Sequence, residues 1–475
     1  MKLRTLSLGV ALSGLLSACV SLAPDYQRPA APVAAQWPAT GGQAVATTAA
    51  DVTAIAWRDY FVDERLRRLI GLALDNNRDL RATALAVVRA RAQYRIQRAD
   101  LFPALNAEAG TTARRTPADV SGTGHAVTSR SHSVDLGVAS WELDFFGRIQ
   151  SLSEQALQTY LADEESLRST RIALVADVAT AYLTLSSDET LLALAQRTLA
   201  SQEASLALIG KRVDLGIASE LERRQIETSV ETARRDVATY TAQVVTDRNA
   251  LNVLVGAPLP DDVLQPAGLD GVTDPAGLPV GLPSAVLQQR PDVLASERQL
   301  MAANANIGAA RAAFFPRIGL TASAGTASSS LSGLFAGGSG AWTFSPQLSL
   351  PIFNAGSNRA ALQVAEADRD IALARYEQTI QTAFREVADA LAQRATLDAR
   401  LGAQLRLTEA SAASYRLSEA RYLKGVDSYL SALDAQRSYY SAQQGLVSLR
   451  LAVATNAVTL YKVLGGGAQA PDGRG

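Results

Sequence analysis

Trp342-Thr343-Phe344-Ser345-Pro346-Gln347-Leu348-Ser349-Leu350-Pro351-Ile352 reads as a β-strand. Trp342, Phe344, Pro346, Leu348, Leu350 and Ile352 fall on one face, and Thr343, Ser345, Gln347 and Ser349 on the other. A period of two is what a pleated strand needs when only one of its faces meets an apolar medium. Three other stretches alternate in the same way. Leu105, Ala107, Ala109 and Ala113 oppose Asn106, Glu108, Thr112 and Arg114; Ile318, Leu320, Ala322 and Ala324 oppose Arg317, Thr321 and Ser323. The remaining one runs Val134, Leu136, Val138 and then changes phase to Trp141, Leu143, Phe145, as a bulge or the end of an apolar zone would require. Short segments alternating apolar with small polar residues, with aromatics near their ends, have the pattern of membrane-spanning β-strands. A half-buried sheet in a soluble sandwich alternates in the same way, so the strands alone leave both readings open.

If the strands do cross lipid, four of them cannot stand by themselves. An open sheet in hydrocarbon leaves unpaired backbone groups along both edges, each costing several kcal/mol. Two copies would give eight strands, which side chains fill; three would give twelve and room for a duct. The β-part therefore argues for an oligomer of at least three copies.

Working outward, the strands are set in a sequence written twice. Asn77-Arg78-Asp79-Leu80 recurs as Arg290-Pro291-Asp292-Val293, and Leu101-Phe102-Pro103 as Phe314-Phe315-Pro316, both at an offset of 213 residues. Arg212-Val213-Asp214-Leu215-Gly216 recurs as Arg421-Tyr422-Leu423-Lys424-Gly425, and Leu251 to Gly256 as Leu460 to Gly465, at an offset of 209. Each half reads helix, two strands, a very long helix, a tight turn and a helix. Repeat one is expected over residues 57–256, with strands near 103–114 and 131–146 and a turn at 214–218. Repeat two covers 284–465, with strands near 316–327 and 341–353 and a turn at 424–427. A Pro/Gly-rich connector, 257–283, joins them, and 466–475 reads as a disordered tail.

The first helix is expected from Asp63 to Ala99, ending ahead of Pro103. The long helices are expected from about Gly147 to Val213 and from about Gly356 to Lys424, and neither contains a proline. At 1.5 Å per residue each would be roughly 100 Å long. Heptad-like steps show at Ile380, Phe384, Val387 and Leu391 and again at Leu397, Leu401 and Leu405, with Ala383, Ala388, Ala390 and Ala395 permitting close approach. A rod-like coiled coil without a channel is the competing reading of the helices. Composition fits close-packed helices better than a large globular core: apolar residues make up 48% of the 475, but aromatics only 6%.

The 45 basic and 46 acidic residues leave a net charge of −1, which gives no basic stripe for nucleic acid. With one cysteine, neither a disulfide nor a Cys-based zinc site can form within the chain. That cysteine, Cys19, follows a signal-like start: Lys2 and Arg4, then a short apolar run from Leu6 to Leu16. Leu16-Ser17-Ala18-Cys19 resembles a bacterial lipobox, with residues 1–18 as the signal peptide. Cys19 would then carry diacylglyceryl and N-acyl lipid, and Val20 in place of Asp lacks the usual inner-membrane retention signal. Residues 19–56, with Pro24, Pro29, Pro32 and Pro38, read as an extended strap. No cofactor is expected. There is no Gly-rich phosphate loop, GxSxG elbow or Cys/His nucleophile pair, so no enzyme is expected either. His125 and His132, placed in the loop between the first two strands, make a poor metal site.

The chain resembles outer-membrane efflux factors of the TolC/OprM type, in the lipoprotein branch that serves resistance-nodulation-division pumps. The likeness rests on Cys19, Pro24-Asp25-Tyr26-Gln27-Arg28-Pro29, Trp57-Arg58-Asp59-Tyr60-Phe61 and Asn77-Arg78-Asp79-Leu80-Arg81. It continues through Ala90-Arg91-Ala92-Gln93, Trp141-Glu142-Leu143-Asp144-Phe145-Phe146-Gly147-Arg148, Gly425-Val426-Asp427-Ser428-Tyr429-Leu430 and Asp434-Ala435-Gln436-Arg437. The resemblance implies a mostly α fold with transmembrane β. Three copies would make a homotrimeric duct, with a twelve-stranded barrel in outer-membrane lipid, a twelve-helix periplasmic α-barrel and a mixed equatorial belt. Its implied partners are a periplasmic adaptor and an inner-membrane pump, and its implied role is a passive exit for drugs or other small toxic compounds. Two alternatives remain: an exit duct for secreted polypeptides, and a structural envelope-spanning lipoprotein that conducts nothing.

In such a duct the functional residues are those of its narrowest end. Gly216 and Gly425 stand where a helix C-terminus needs left-handed backbone, and these turns would be the periplasmic tips that meet the adaptor. Ser219-Glu220-Leu221-Glu222 fits a capping box. By the resemblance, Asp434 takes the place of a carboxylate ring that constricts the closed aperture, and Tyr422, Leu430 and Arg437 match other residues of that closure. Glu222 stands where the family usually has Asp, so it reads either as a gating carboxylate or as a cap. Asp434 and Arg437 also read as a surface i,i+3 ion pair.

Overall fold

The computed structural model describes residues 21–37, 52–260, 268–269, 271–273 and 284–468. The signal-peptide stretch, Cys19, most of the connector and the end of the tail lie outside them. Two compact units are distinguished. The first takes Ala86–Glu164 and Ala295–Tyr376 with the strap as far as Ala30; the second takes the strap from Ala31 on to Leu85, Glu165–Leu294 and the chain after Tyr376. The elements are α1 (Glu64–Asn76), α2 (Arg78–Ala99), β1 (Leu105–Thr116), β2 (Val127–Leu143), α3 (Arg148–Asp214) and α4 (Glu220–Val255), followed by α5 (Pro291–Ala312), β3 (Arg317–Ser328), β4 (Gly340–Ser349), α6 (Ser357–Leu423) and α7 (Tyr429–Val463).

In the first unit the strands form one antiparallel sheet in the order β1-β2-β3-β4. Ala324 pairs with Trp342, Ala322 with Phe344, Leu320 with Pro346 and Ile318 with Leu348, so the apolar residues of both strands share one face. That face is open: Trp342 is 79% exposed and Ile352, just past β4, 86%. A bare apolar face of this kind marks a surface meant for another apolar phase. The phase change in β2 is a bulge between Val138 and Trp141, where Ser140 adopts a left-handed φ of 53°. Gly325 lets two backbones close up, because a Cβ there would lie 2.2 Å from the carbonyl oxygen of Val134. Strand β2 begins earlier than its alternation indicates, since Val127 pairs with Thr116. His132 therefore sits inside β2 and not in the loop: its Nδ1 is 2.9 Å from Thr111 Oγ1.

The strap lies along α5 in the same unit. Glu297 takes Arg28 Nε at 2.6 Å, Arg28 Nη2 at 2.7 Å and the Tyr26 hydroxyl at 3.1 Å. Asn304 Nδ2 donates to the Pro24 carbonyl at 2.7 Å, and Arg311 to that of Leu22 at 3.2 Å. Extended, Pro-containing backbone cannot satisfy itself, so the side chains of α5 serve it instead.

Helices α3 and α6 are each 67 residues long. The start of α3 is fixed by Asp144, whose carboxylate accepts from the backbone N–H of Arg148 at 2.7 Å and of Gln150 at 2.8 Å, while Arg148 grips Glu142 with two further bonds. Ile380, Ala383, Val387, Ala390 and Leu397 of the heptad-like run are buried, but Leu405 is 42% exposed and does not extend the seam.

The segment expected as a single helix from Asp63 to Ala99 is two. Asn77 interrupts it: Oδ1 caps α2 by accepting from Leu80 N at 2.8 Å, and Nδ2 donates to the Leu254 carbonyl in the last turn of α4 at 2.8 Å. Arg290 occupies the corresponding place before α5, and its Nη1 reaches the Val463 carbonyl at the end of α7 at 2.8 Å. The core of the second unit gathers around these junctions. Tyr60, Phe61, Leu66, Leu69 and Ile70 pack with Val178, Leu183, Leu251, Val255 and Tyr461. Tyr60 stacks on Tyr461 at 4.5 Å between centroids and donates its hydroxyl to the Ala457 carbonyl at 2.8 Å.

Candidate functional site

The two interhelical turns have the same construction. Gly216 has φ 75° and Gly425 has φ 73°, a conformation in which glycine avoids the Cβ penalty. After α3, the Ile217 N–H returns to the Arg212 carbonyl at 2.8 Å and the Gly216 N–H to that of Val213 at 2.9 Å. After α6, Val426 returns to Arg421 and Gly425 to Tyr422, both at 2.9 Å. These crossed bonds satisfy carbonyls that the end of each helix leaves over.

The turns differ in how the next helix begins. Ser219 caps α4: its Oγ accepts from Glu222 N at 3.2 Å, and Glu222 Oε2 accepts from Ser219 N at 3.0 Å. The Glu222 side chain thus completes a capping box with Ser219. Ser428 makes no such bond at the start of α7. There Arg421 pairs with Asp427, and the guanidinium beside it holds the Asp427 carboxyl below the usual carboxylate range.

Between the turns lies a small core of Ile209, Ile226, Val230, Tyr429 and Leu433, with Val213 and Tyr422 at its margin. Tyr422 accepts from Arg212 Nη1 at 2.6 Å, and the guanidinium carbon sits 5.3 Å from the ring centroid. Its ring meets Tyr429 edge-on at 5.1 Å. Burial pushes the Tyr422 hydroxyl upward in pKa, and Arg212 opposes that shift. Tyr422 therefore joins α6 to α3 and to α7.

Arg437 does not form the ion pair with Asp434 that i,i+3 spacing allows. Its Nε and Nη2 donate to Ser229 Oγ at 3.1 and 2.9 Å, and Nη2 also to Thr228 Oγ1 at 3.2 Å, tying α7 to α4. Asp434 is exposed and has no hydrogen-bond or ion-pair partner among the described residues. Leu430 is 48% exposed on the same helix. Spacing alone did not single out Arg212, Thr228, Ser229 or Arg421. For the two arginines a signal existed, since each stands four residues before its turn glycine in both halves.

The family model described as "Outer membrane efflux protein" matches residues 69–257 and 282–466. The chain belongs to that family. Like the other members, it is an efflux conduit of the outer membrane and not a member of a catalytic family. It is 50% identical over 462 residues to the toluene efflux pump outer membrane protein TtgC of Pseudomonas putida, covering 97% of this chain and 95% of the relative. It is 47% identical over 455 residues to the outer membrane protein OprJ of Pseudomonas aeruginosa, covering 95% and 94%. Among solved structures it is similar to the open state of the Neisseria gonorrhoeae MtrE outer membrane channel. There the TM-score is 0.86 at 39% identity, covering 94% of this chain and 99% of that one.

Proposed function

We propose that three copies of this outer membrane efflux protein close their sheets into one twelve-stranded barrel and line a single duct. The observation that carries this is the sheet itself: four strands with a bare apolar face, whose outer members β1 and β4 each pair on one side only among the described residues. Lipid does not accept unpaired backbone, and closure with other copies removes both edges. The duct passes small toxic compounds outward without an energy source of its own. It receives them from an inner-membrane pump of the resistance-nodulation-division type through a periplasmic adaptor, which meets the turns at Gly216 and Gly425. Cys19, acylated after cleavage, anchors the chain to the membrane.

The aperture forms where the helical turns converge. Three exposed Asp434 carboxylates, brought together by the threefold axis, narrow it and attract cations. Arg437, Tyr422 and Leu430 hold or fill the closed arrangement, and Glu222 serves as the helix cap beside them. In planar bilayers the purified protein gives small, cation-sensitive conductance steps, and Asp434→Ala enlarges them. Absence of pores would leave a structural envelope protein, and identical steps in the variant would remove Asp434 from the aperture.

A further inference from the structure

Asp188 on α3 and Asp247 on α4 each stand one residue before the Glu189–Arg248 ion pair, which joins the same two helices at 2.7 Å, so the hairpin brings the two carboxyls side by side. Oδ2 of Asp247 is buried and has no partner. Carboxylates only accept, so these two oxygen pairs can bond to each other only around a proton. Of the nearby charges, Arg248 holds Glu189 at 2.7 Å through Nη2 while its Nε is buried without a partner, and no arginine or lysine among the described residues acts on either carboxyl. Tyr240, also on α4, senses Asp188, but its hydroxyl accepts from Gln444 of α7 at 3.3 Å. No charged group of α1 or α7, the helices packed on α4, acts on either carboxyl.

We propose that Asp188 and Asp247 share one proton and act as an acid-closed clasp between α3 and α4. Such a pair is bonded while the proton is present and becomes two facing negative charges when it leaves. Burial, with the Asp247 charge second, pushes Asp188 up to about 6 from 3.8, and burial also raises Asp247. A carboxyl raised on folding holds its proton more tightly in the folded chain. Its contribution is therefore complete below the ordinary carboxyl range, drains as pH rises toward 6, and is gone above it. That sign is opposite to the Arg421–Asp427 pair, where the carboxyl is lowered and acid breaks the contact. The clasp lies about eight helical turns from Gly216 along α3. Acid thus stiffens the two arms that carry one of the turns, and neutral pH loosens them.

Thermal unfolding of the full protein in detergent is compared between wild type and Asp188→Asn from about pH 4 to pH 8, because a carboxamide donates at every pH. The stability of wild type relative to the variant is expected to fall with rising pH, by at most about tenfold per pH unit in the unfolding constant, and to level off above about pH 6. Asp247→Asn is expected to give the same curve. A pH-independent difference in both variants would overturn the clasp, and so would a difference that grows with pH, which would mean that another copy supplies a cation. Should neither variant fold, hydrogen exchange on wild type decides: protection of the amides around Asp188 and Asp247 must drop between pH 4 and 7 relative to the rest of α3 and α4. Uniform protection refutes the pair.

Discussion

If the proposed aperture is held closed by contacts between α4 and α7, replacing Arg437 with alanine is its sharpest probe. The guanidinium makes three bonds to α4, two to Ser229 Oγ and one to Thr228 Oγ1, at 2.9 to 3.2 Å. Sheltered hydrogen bonds from a charged donor contribute about 1.5–3 kcal/mol each. Arg437 is exposed, so water competes, and the set is better taken as about 1 kcal/mol per chain. If these bonds form only in the closed state and three copies open together, that state loses about 3 kcal/mol in the variant, or roughly a hundredfold in the ratio of closed to open. Ser229→Ala removes two of the three bonds and should produce a smaller shift in the same direction. Dwell times of single channels in planar bilayers read this ratio directly. A melting curve in detergent shows that neither substitution has disturbed the fold. Closed dwell times unchanged in both variants would refute the idea that α7 is latched to α4 through this residue.

Two further outcomes follow from the local geometry. Gly216→Ala should cost about 1 kcal/mol, because the added Cβ meets no atom but must adopt a left-handed backbone; a melting temperature equal to wild type would show that the turn relaxes to another conformation. Asn77→Ala should lose about 2–3 kcal/mol, since the cap on α2 goes and the Leu254 carbonyl is left without its donor. Urea unfolding measures the latter, and a midpoint within error of wild type would count against Asn77 as the joint.

The sequence by itself determined which segments are strands and which are long helices. Alternation with a period of two, proline-free runs and glycines at turn positions act within a few residues, so they can be read from the chain alone. Phase changes belong to the same class: the bulge at Ser140 is visible as the switch from Val138 to Trp141. What only the tertiary structure decided is which of several available partners a polar side chain takes. Asn77 reads as an ordinary helical residue until the end of α4 offers it a carbonyl. The spacing of Asp434 and Arg437 permits a local ion pair, yet Arg437 bonds across to Thr228 and Ser229, more than two hundred positions away. Glu222, a capping-box residue by its spacing, finds the N–H of its own Ser219 in the fold. The facing of Asp188 and Asp247 has no sequence signature at all, because it depends on how two antiparallel helices fall into register. Local preferences are properties of the chain, whereas the choice of partner is a competition among groups that folding alone brings within 3 Å of each other.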